Sequence, residues 1–229
     1  RQSDVRAAAM AGARPRLKPL VITDEPERVD LRRYAALCPI INVVHGAYGP
    51  NRRDEFAFLQ RKYGLELWWY QSCKSHACED IGGEGTRFWP SYMIDSPAIH
   101  QRIMPWLTWK YRMDGELYFH TVFAYSQTDP WRTQYLFGGN GDGTLFYPGR
   151  PRAIGGHTDI PIESMRLKFI REGYEDYEYL RLAEKGAGRA RVERLLRGVV
   201  NTTFDWSQRP QDLLVLRSRL ATLIAGPAN

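Results

Sequence analysis

Residues 52–72 read RRDEFAFLQRKYGLELWWYQS, and the fold class follows from how this stretch divides. Residues 52–63 form an amphipathic helix. Gly64 then ends the helix, as glycine commonly does at a C-terminus. Residues 65–72 follow as an apolar, aromatic-rich strand. Helix, glycine, strand is the second half of a βαβ unit. The same alternation runs outward in both directions. Upstream, strands are expected at 18–23 and 39–45, with a helix at about 26–37 whose Pro26 suits the first turn. An Ala-rich helix is expected at 3–13. Downstream, a helix is expected at about 96–113 and a fourth strand at 115–125. Beyond these lie a short strand at 144–147, a long helix at about 162–184 whose Leu167, Ile170, Tyr174, Tyr177 and Leu180 step by three or four and form one buried stripe, and helices near 189–200 and 209–224.

Helices alternating with apolar strands imply a parallel sheet. The long excursions, 73–95 and 126–160, both follow strands. That is the habit of a (β/α)8 barrel, whose functional loops leave the C-terminal ends of its strands. Only four core strands are legible in 229 residues, against eight strands and roughly 250 residues for a whole barrel. The expected fold class is therefore α/β, the C-terminal half of a (β/α)8 barrel. It is read as one partial domain over 1–229, with 185–229 as a C-terminal helical extension.

Composition excludes several alternatives. Apolar residues make up 43% and charged residues 25% of the chain, too balanced for disorder. No run of about 18 apolar residues exists to span a membrane. No basic segment followed by an apolar core marks a secretory signal, and the chain opens on Arg1, so it is read as a processed product or fragment. Compartment is left open, with export of the parent protein one option. The net charge of +6 comes largely from arginines in short runs, such as Arg52 and Arg53 or Arg189, Arg191, Arg194 and Arg197. These fall on expected helices and read as solvated faces, not as a nucleic-acid footprint.

Four stretches carry a family resemblance: 65–78 (LELWWYQSCKSHAC), 89–95 (WPSYMID), 135–149 (YLFGGNGDGTLFYPG) and 162–180 (IESMRLKFIREGYEDYEYL). Together they resemble domain-of-unknown-function family 4091, which is similar to the catalytic domain of glycoside hydrolase family 123. The resemblance implies a barrel acting on N-acetyl-β-galactosaminides by a substrate-assisted retaining mechanism. In that mechanism the 2-acetamido oxygen of the sugar attacks the anomeric carbon, an Asp orients the acetamido group, and the adjacent Glu protonates the leaving oxygen. It implies an Asp-Glu-Pro at a strand end. One such triplet occurs here, Asp24-Glu25-Pro26. However, residues 20–23 and Asn42 align with the family's following strands, which would put the catalytic pair upstream of Arg1. On that register this chain is inactive alone, and its partner is the missing N-terminal half-barrel. Asp24 and Glu25 then have a structural use at a helix N-terminus.

Strand alternation supplies the sugar-binding candidates. Glu66, Trp68 and Tyr70 share one face of the third strand, opposite Leu67 and Trp69. Glu116, Tyr118 and His120 share one face of the fourth, opposite Leu117 and Phe119. Aromatic faces cover the C–H patches of a pyranose and carboxylates bind its hydroxyls, so Trp68, Tyr70, Tyr118 and His120 are assigned to the substrate, with Trp69 and Phe119 in the core. The loops add Trp131 and Asp142 as substrate contacts, with Trp89, Tyr92, Asp95, Asp129 and Asn140 nearby in sequence. Asn140-Gly141-Asp142-Gly143 is also a plain turn sequence, and it lacks the later Glu of an EF-hand.

No cofactor and no metal are expected. Cys73, His76 and Cys78 cluster, but no second group completes a zinc site. A Cys73–Cys78 disulfide would need an oxidising compartment. Glu175 and Asp176 sit mid-helix, far from any strand end. The rival function is a non-catalytic carbohydrate-binding or uncharacterised domain.

Overall fold

The computed structural model describes residues 19–47, 49–71, 89–136 and 139–226. The Ala-rich helix expected at 3–13 and the Cys73, His76 and Cys78 cluster lie outside the described residues. The fold is mixed α/β, with four parallel strands in one sheet. The chain divides into two compact units, 1–71 with 111–117, and 72–110 with 118–229.

The first unit holds the sheet. Its strands are β1 (Leu20–Ile22), β2 (Ala36–Cys38), β3 (Glu66–Tyr70) and β4 (Gly115–Leu117), in that spatial order. Between β2 and β3 come one helical turn, α1 (Ile41–Val44), and the amphipathic α2 (Arg53–Tyr63). Gly64 takes the left-handed conformation, φ 67°, and ends α2 as expected. Phe56 from α2 is fully buried, as are Leu67 and Trp69 on β3. The core face is therefore a row of Leu37, Leu67 and Trp69.

Two expectations change here. The helix at 26–37 is replaced by two short 3-10 turns, Pro26–Arg28 and Leu31–Arg33, followed by β2. Ala36, Leu37 and Cys38 are all buried, so the strand shows no alternation to read. Residues 39–45, rich in Ile and Val, hold no strand; they carry the α1 turn. Pro39 has no N–H with which to extend β2, and the Ile40 N–H goes instead to Asp24 Oδ1 at 3.0 Å. β-Propensity loses to tertiary pairing.

β4 is also shorter than expected. It ends at Leu117, and its register pairs Trp68 with Gly115, Trp69 with Glu116 and Tyr70 with Leu117. Paired residues of a parallel ladder share a face, so Glu116 lies on the Trp69 side, opposite Glu66, Trp68 and Tyr70. Gly115 sits under the Trp68 indole. A Cβ there would fall 2.6 Å from ring atoms Cδ2 and Cε2.

The second unit is mainly helical. It contains α3 (Ile99–Lys110), a small antiparallel pair β5 (Tyr135–Leu136) and β6 (Gly139–Asn140), and a hairpin of β7 (Phe146–Gly149) and β8 (Ile160–Glu163) around the short α4 (Pro151–Ile154). Then follow α5 (Met165–Ala187), α6 (Arg189–Leu196) and α7 (Pro210–Ala225). Ser164 caps α5, its hydroxyl accepting from the Leu167 N–H. The buried stripe of α5 is Arg166, Ile170, Gly173, Asp176, Leu180 and Ala183. It overlaps the expected stripe only at Ile170 and Leu180; Tyr174 is 42% exposed. Asp176 is fully buried and accepts from Arg102 Nε (2.6 Å) and Nη2 (2.9 Å) and from Trp106 Nε1 (2.9 Å). Arg217 Nη1 lies 3.2 Å from its Oδ1. Its role is to bind α3 and α7 to α5. No helix among the described residues is long and apolar enough to cross a membrane.

Candidate functional site

In the first unit the polar groups of interest lie at the strand ends. Asp24, directly after β1, accepts from the Ile40 N–H after β2 and so ties the two ends together. Glu25 is exposed and ion-paired to Arg28 at 3.0 Å. It precedes the 3-10 turn but makes no side-chain cap. The capping role expected of this pair is thus absent: Asp24 bridges strands and Glu25 faces solvent.

Trp68 donates from its indole nitrogen to Glu66 Oε2 at 3.1 Å, so these two residues on one face of β3 form a unit. Tyr70 is half-buried at the end of the same face. Asn42 lies on α1, and its Oδ1 is buried with no hydrogen-bond partner among the described residues. Cys38 is fully buried; desolvation, with help from the Glu116 and Asp24 charges, pushes its thiol up to about 12. It is a neutral, unreactive thiol.

In the second unit the structure brings together Tyr118 and Asp142, 24 residues apart in sequence. The Tyr118 hydroxyl donates to Asp142 Oδ1 at 3.2 Å and accepts from the Gly143 N–H at 2.8 Å. Burial pushes this phenol well above its ordinary range, with the adjacent Asp142 charge acting in the same direction. Tyr118 therefore remains a neutral donor. The Tyr92 ring meets Tyr118 edge-on at 5.1 Å.

The loop that presents Asp142 is held by Arg166, in the first turn of α5. Arg166 is 6% exposed. It donates to four neutral acceptors: the carbonyls of Tyr92 (2.8 Å), Gly141 (2.7 Å) and Thr144 (2.5 Å), and Gln134 Oε1 (2.9 Å). Desolvation lowers its pKa, and the nearby Asp142 carboxyl acts against that. Gly141 is required here twice over. Its φ is +87°, and a Cβ would stand 2.6 Å from Arg166 Nη1. Arg166 could have been found by extending the α5 stripe back from Ile170 by four residues; Gln134 and Thr144, outside the helix, carry no such signal.

The other candidates are dispersed. His120 is exposed, and its Nδ1 accepts from the Val122 N–H at 3.0 Å, closing a local turn. Phe119 is 42% exposed and packs on Phe123, so it is not core. Trp69, Trp89 and Tyr92 are core. Asn140 donates to Asp95 Oδ1 at 3.2 Å on the surface. Trp131 is 47% exposed; its indole donates to the Pro148 carbonyl at 2.9 Å, and its ring lies 4.8 Å from that of Tyr147. It borders a cavity of about 290 Å³, which Tyr125, Asp129, Arg150 and Arg152 also line. No group of three His, Cys, Asp or Glu suited to a metal occurs among the described residues.

Within the second unit, a half-exposed aromatic face and a buried carboxylate fixed by a phenol are groups of the kind that hold a polyhydroxylated ligand. Comparison with curated proteins yields no match. Among solved structures the chain is similar to a family 123 glycoside hydrolase from Clostridium perfringens, studied for the details of glycolipid glycan hydrolysis. Identity is 16%, the TM-score is 0.56, and the likeness covers 91% of this chain and 34% of that one. The chain thus spans about a third of that enzyme's length, and at this identity the likeness is one of fold. Residues 41–183 match the family model described as glycoside hydrolase 123, catalytic domain. That match takes in β3, β4, Tyr118, Trp131, the Gly141 loop and most of α5, and on it the chain belongs to the glycoside hydrolase 123 catalytic-domain family.

Proposed function

We propose that this chain is part of a glycosidase acting on N-acetylhexosamine glycosides, specifically N-acetyl-β-galactosaminides, by a substrate-assisted retaining mechanism. β1 to β4 are then four staves of a (β/α)8 barrel. The sugar's acetamido oxygen attacks the anomeric carbon, an Asp orients that acetamido group, and a Glu gives its proton to the departing glycosidic oxygen. Water then opens the cyclic intermediate with the same face restored.

The observation that carries this reading is the family match over 41–183, which spans most of the polar and aromatic candidates. Trp68, Tyr70, Tyr118, His120, Trp131 and Asp142 are the proposed sugar contacts. Tyr118 and Asp142 suit the role because each is fixed before any ligand arrives, which reduces the ordering cost of binding. Trp131 suits it because its ring is anchored through Nε1 and still half exposed.

Asp24 and Glu25 are not assigned to the chemistry. One Asp24 oxygen is engaged by the Ile40 N–H, and Glu25 is paired with Arg28 in solvent, whereas a general acid needs a sheltered place within reach of the leaving oxygen. The reacting pair is proposed to lie upstream of Arg1, so the 229-residue chain binds sugar without turning it over.

Calorimetric titration of the chain with N-acetylgalactosamine tests this. Weak, millimolar binding that falls at least several-fold in Trp68→Ala and in Asp142→Asn is expected. Binding insensitive to both variants, or no heat at all, would overturn the assignment of these residues.

A further inference from the structure

The cavity beside Trp131 differs in electrostatic character from the rest of the candidate site. Its volume, about 290 Å³, lies at the lower limit of ligand pockets, roughly 300 Å³, enough for one sugar ring and not for a chain of them. One wall is aromatic and rigid. The Trp131 indole is bonded to the Pro148 carbonyl (2.9 Å) and stacked at a tilt on Tyr147, yet it keeps 47% of its surface open. Tyr125, 37% exposed, adds a phenol to the same lining.

The charges are unbalanced. Asp129 is already engaged: its Oδ1 accepts from the Trp131 N–H at 3.1 Å, and its Oδ2 lies 3.8 Å from Arg132 Nε. Arg150 and Arg152 line the cavity, are exposed, and have no ion-pair partner among the described residues. Arg150 is close enough to Tyr125 for its charge to act on the phenol. Two guanidinium groups at the mouth of a ring-sized aromatic pocket match planar, bidentate anions. A neutral sugar would leave both charges unused.

We propose that this cavity is a subsite for an acidic sugar residue, one that carries a carboxylate or a sulfate and lies on Trp131 while Arg150 and Arg152 hold its anionic group. The proposal rests on the reading of Trp131 as a sugar platform and adds the class of sugar that it accepts. Its consequence is substrate choice: glycans with an acidic residue next to the N-acetylhexosamine are favoured over neutral ones.

The test is calorimetric titration of the 229-residue chain with glucuronic acid, galactose 6-sulfate, galactose and N-acetylgalactosamine at low and high salt. At low salt the acidic sugars should bind about tenfold more tightly than galactose, a difference of about 1.4 kcal/mol. That margin suits two exposed, charge-assisted contacts. It should shrink as salt screens the arginines and vanish in R150Q/R152Q, whose far-ultraviolet dichroism should match wild type because both residues are exposed. Glucuronic acid and the sulfate, compared with each other, report which anion is preferred. Acidic sugars that bind no better than galactose, while N-acetylgalactosamine binds and W131A abolishes that binding, would overturn this proposal and leave the platform reading intact. Failure of every sugar to bind would overturn both.

Discussion

Replacing Arg166 with methionine keeps most of the side-chain volume and removes every donor. The Tyr92, Gly141 and Thr144 carbonyls and the Gln134 amide oxygen lose the guanidinium that joins them. Gly141 retains the Thr144 N–H at 3.2 Å. Taking one partner out of a buried charged network costs about 3–5 kcal/mol. The acceptors here are neutral and the guanidinium's own burial is relieved, so the expected loss is at the low end, about 3 kcal/mol. At 2–4 °C per kcal/mol for a chain of this size, the melting temperature should fall by about 6–12 °C. Arg166→Lys retains the charge but not the planar fork and should lose about half as much. Urea unfolding, followed by tryptophan fluorescence, measures both. The Gly143 amide, which donates to Tyr118, should exchange hydrogen faster in the methionine variant. A loss under about 1 kcal/mol for Arg166→Met, with Gly143 exchange unchanged, would refute the view that this residue holds the Asp142 loop.

Gly141→Ala should destabilise by about 2–3 kcal/mol through positive φ and the clash with Arg166, while Gly155→Ala, at φ +79° with open space around it, should lose only the backbone penalty, about 1 kcal/mol; urea midpoints of the two variants test the difference. Asp176→Ala should lose about 3–5 kcal/mol, because Arg102 and Arg217 are left without their shared carboxylate, and thermal melts read this directly. Cys38 has a folded pKa raised from 9.0 to about 12, so the folded state keeps its proton where the unfolded state loses it. Stability from this group is therefore complete below pH 9 and falls between about pH 9 and 12; Cys38→Ala should flatten that part of the pH–stability curve. Peptide mapping after iodoacetamide treatment at neutral pH should find Cys38 unmodified until the chain is unfolded.

The elements legible in the sequence were those whose pattern and packing agree. α2, Gly64 and β3 carry helical period, stop signal and alternation in turn, and their boundaries shift by only a residue or two. The region 26–45 was misread because β2 is buried on both sides and shows no period, while the Ile and Val residues after it look more strand-like than the turn they form. Faces were harder than elements. Glu66 and Glu116 occupy similar positions in similar strings, yet the register places Glu116 beside Trp69, and register is not local information. α5 was assigned its apolar residues as a core stripe, whereas its buried line includes Arg166 and Asp176. Buried charges look like surface charges until their partners are known. Tyr118, Asp142 and Trp131 stand out in the sequence only as individual candidates; the hydrogen bonds that fix their side chains depend on contacts 17 to 25 residues apart and leave no mark in any short window.

The most direct test of the central claim is hydrolysis of an aryl N-acetyl-β-galactosaminide by the purified 229-residue chain, alone and when extended upstream of Arg1 through further barrel strands. The account predicts no turnover by the chain, and turnover by the extended protein with the β-anomer as first product. Hydrolysis by the chain alone, abolished by Asp24→Asn or Glu25→Gln, would contradict it.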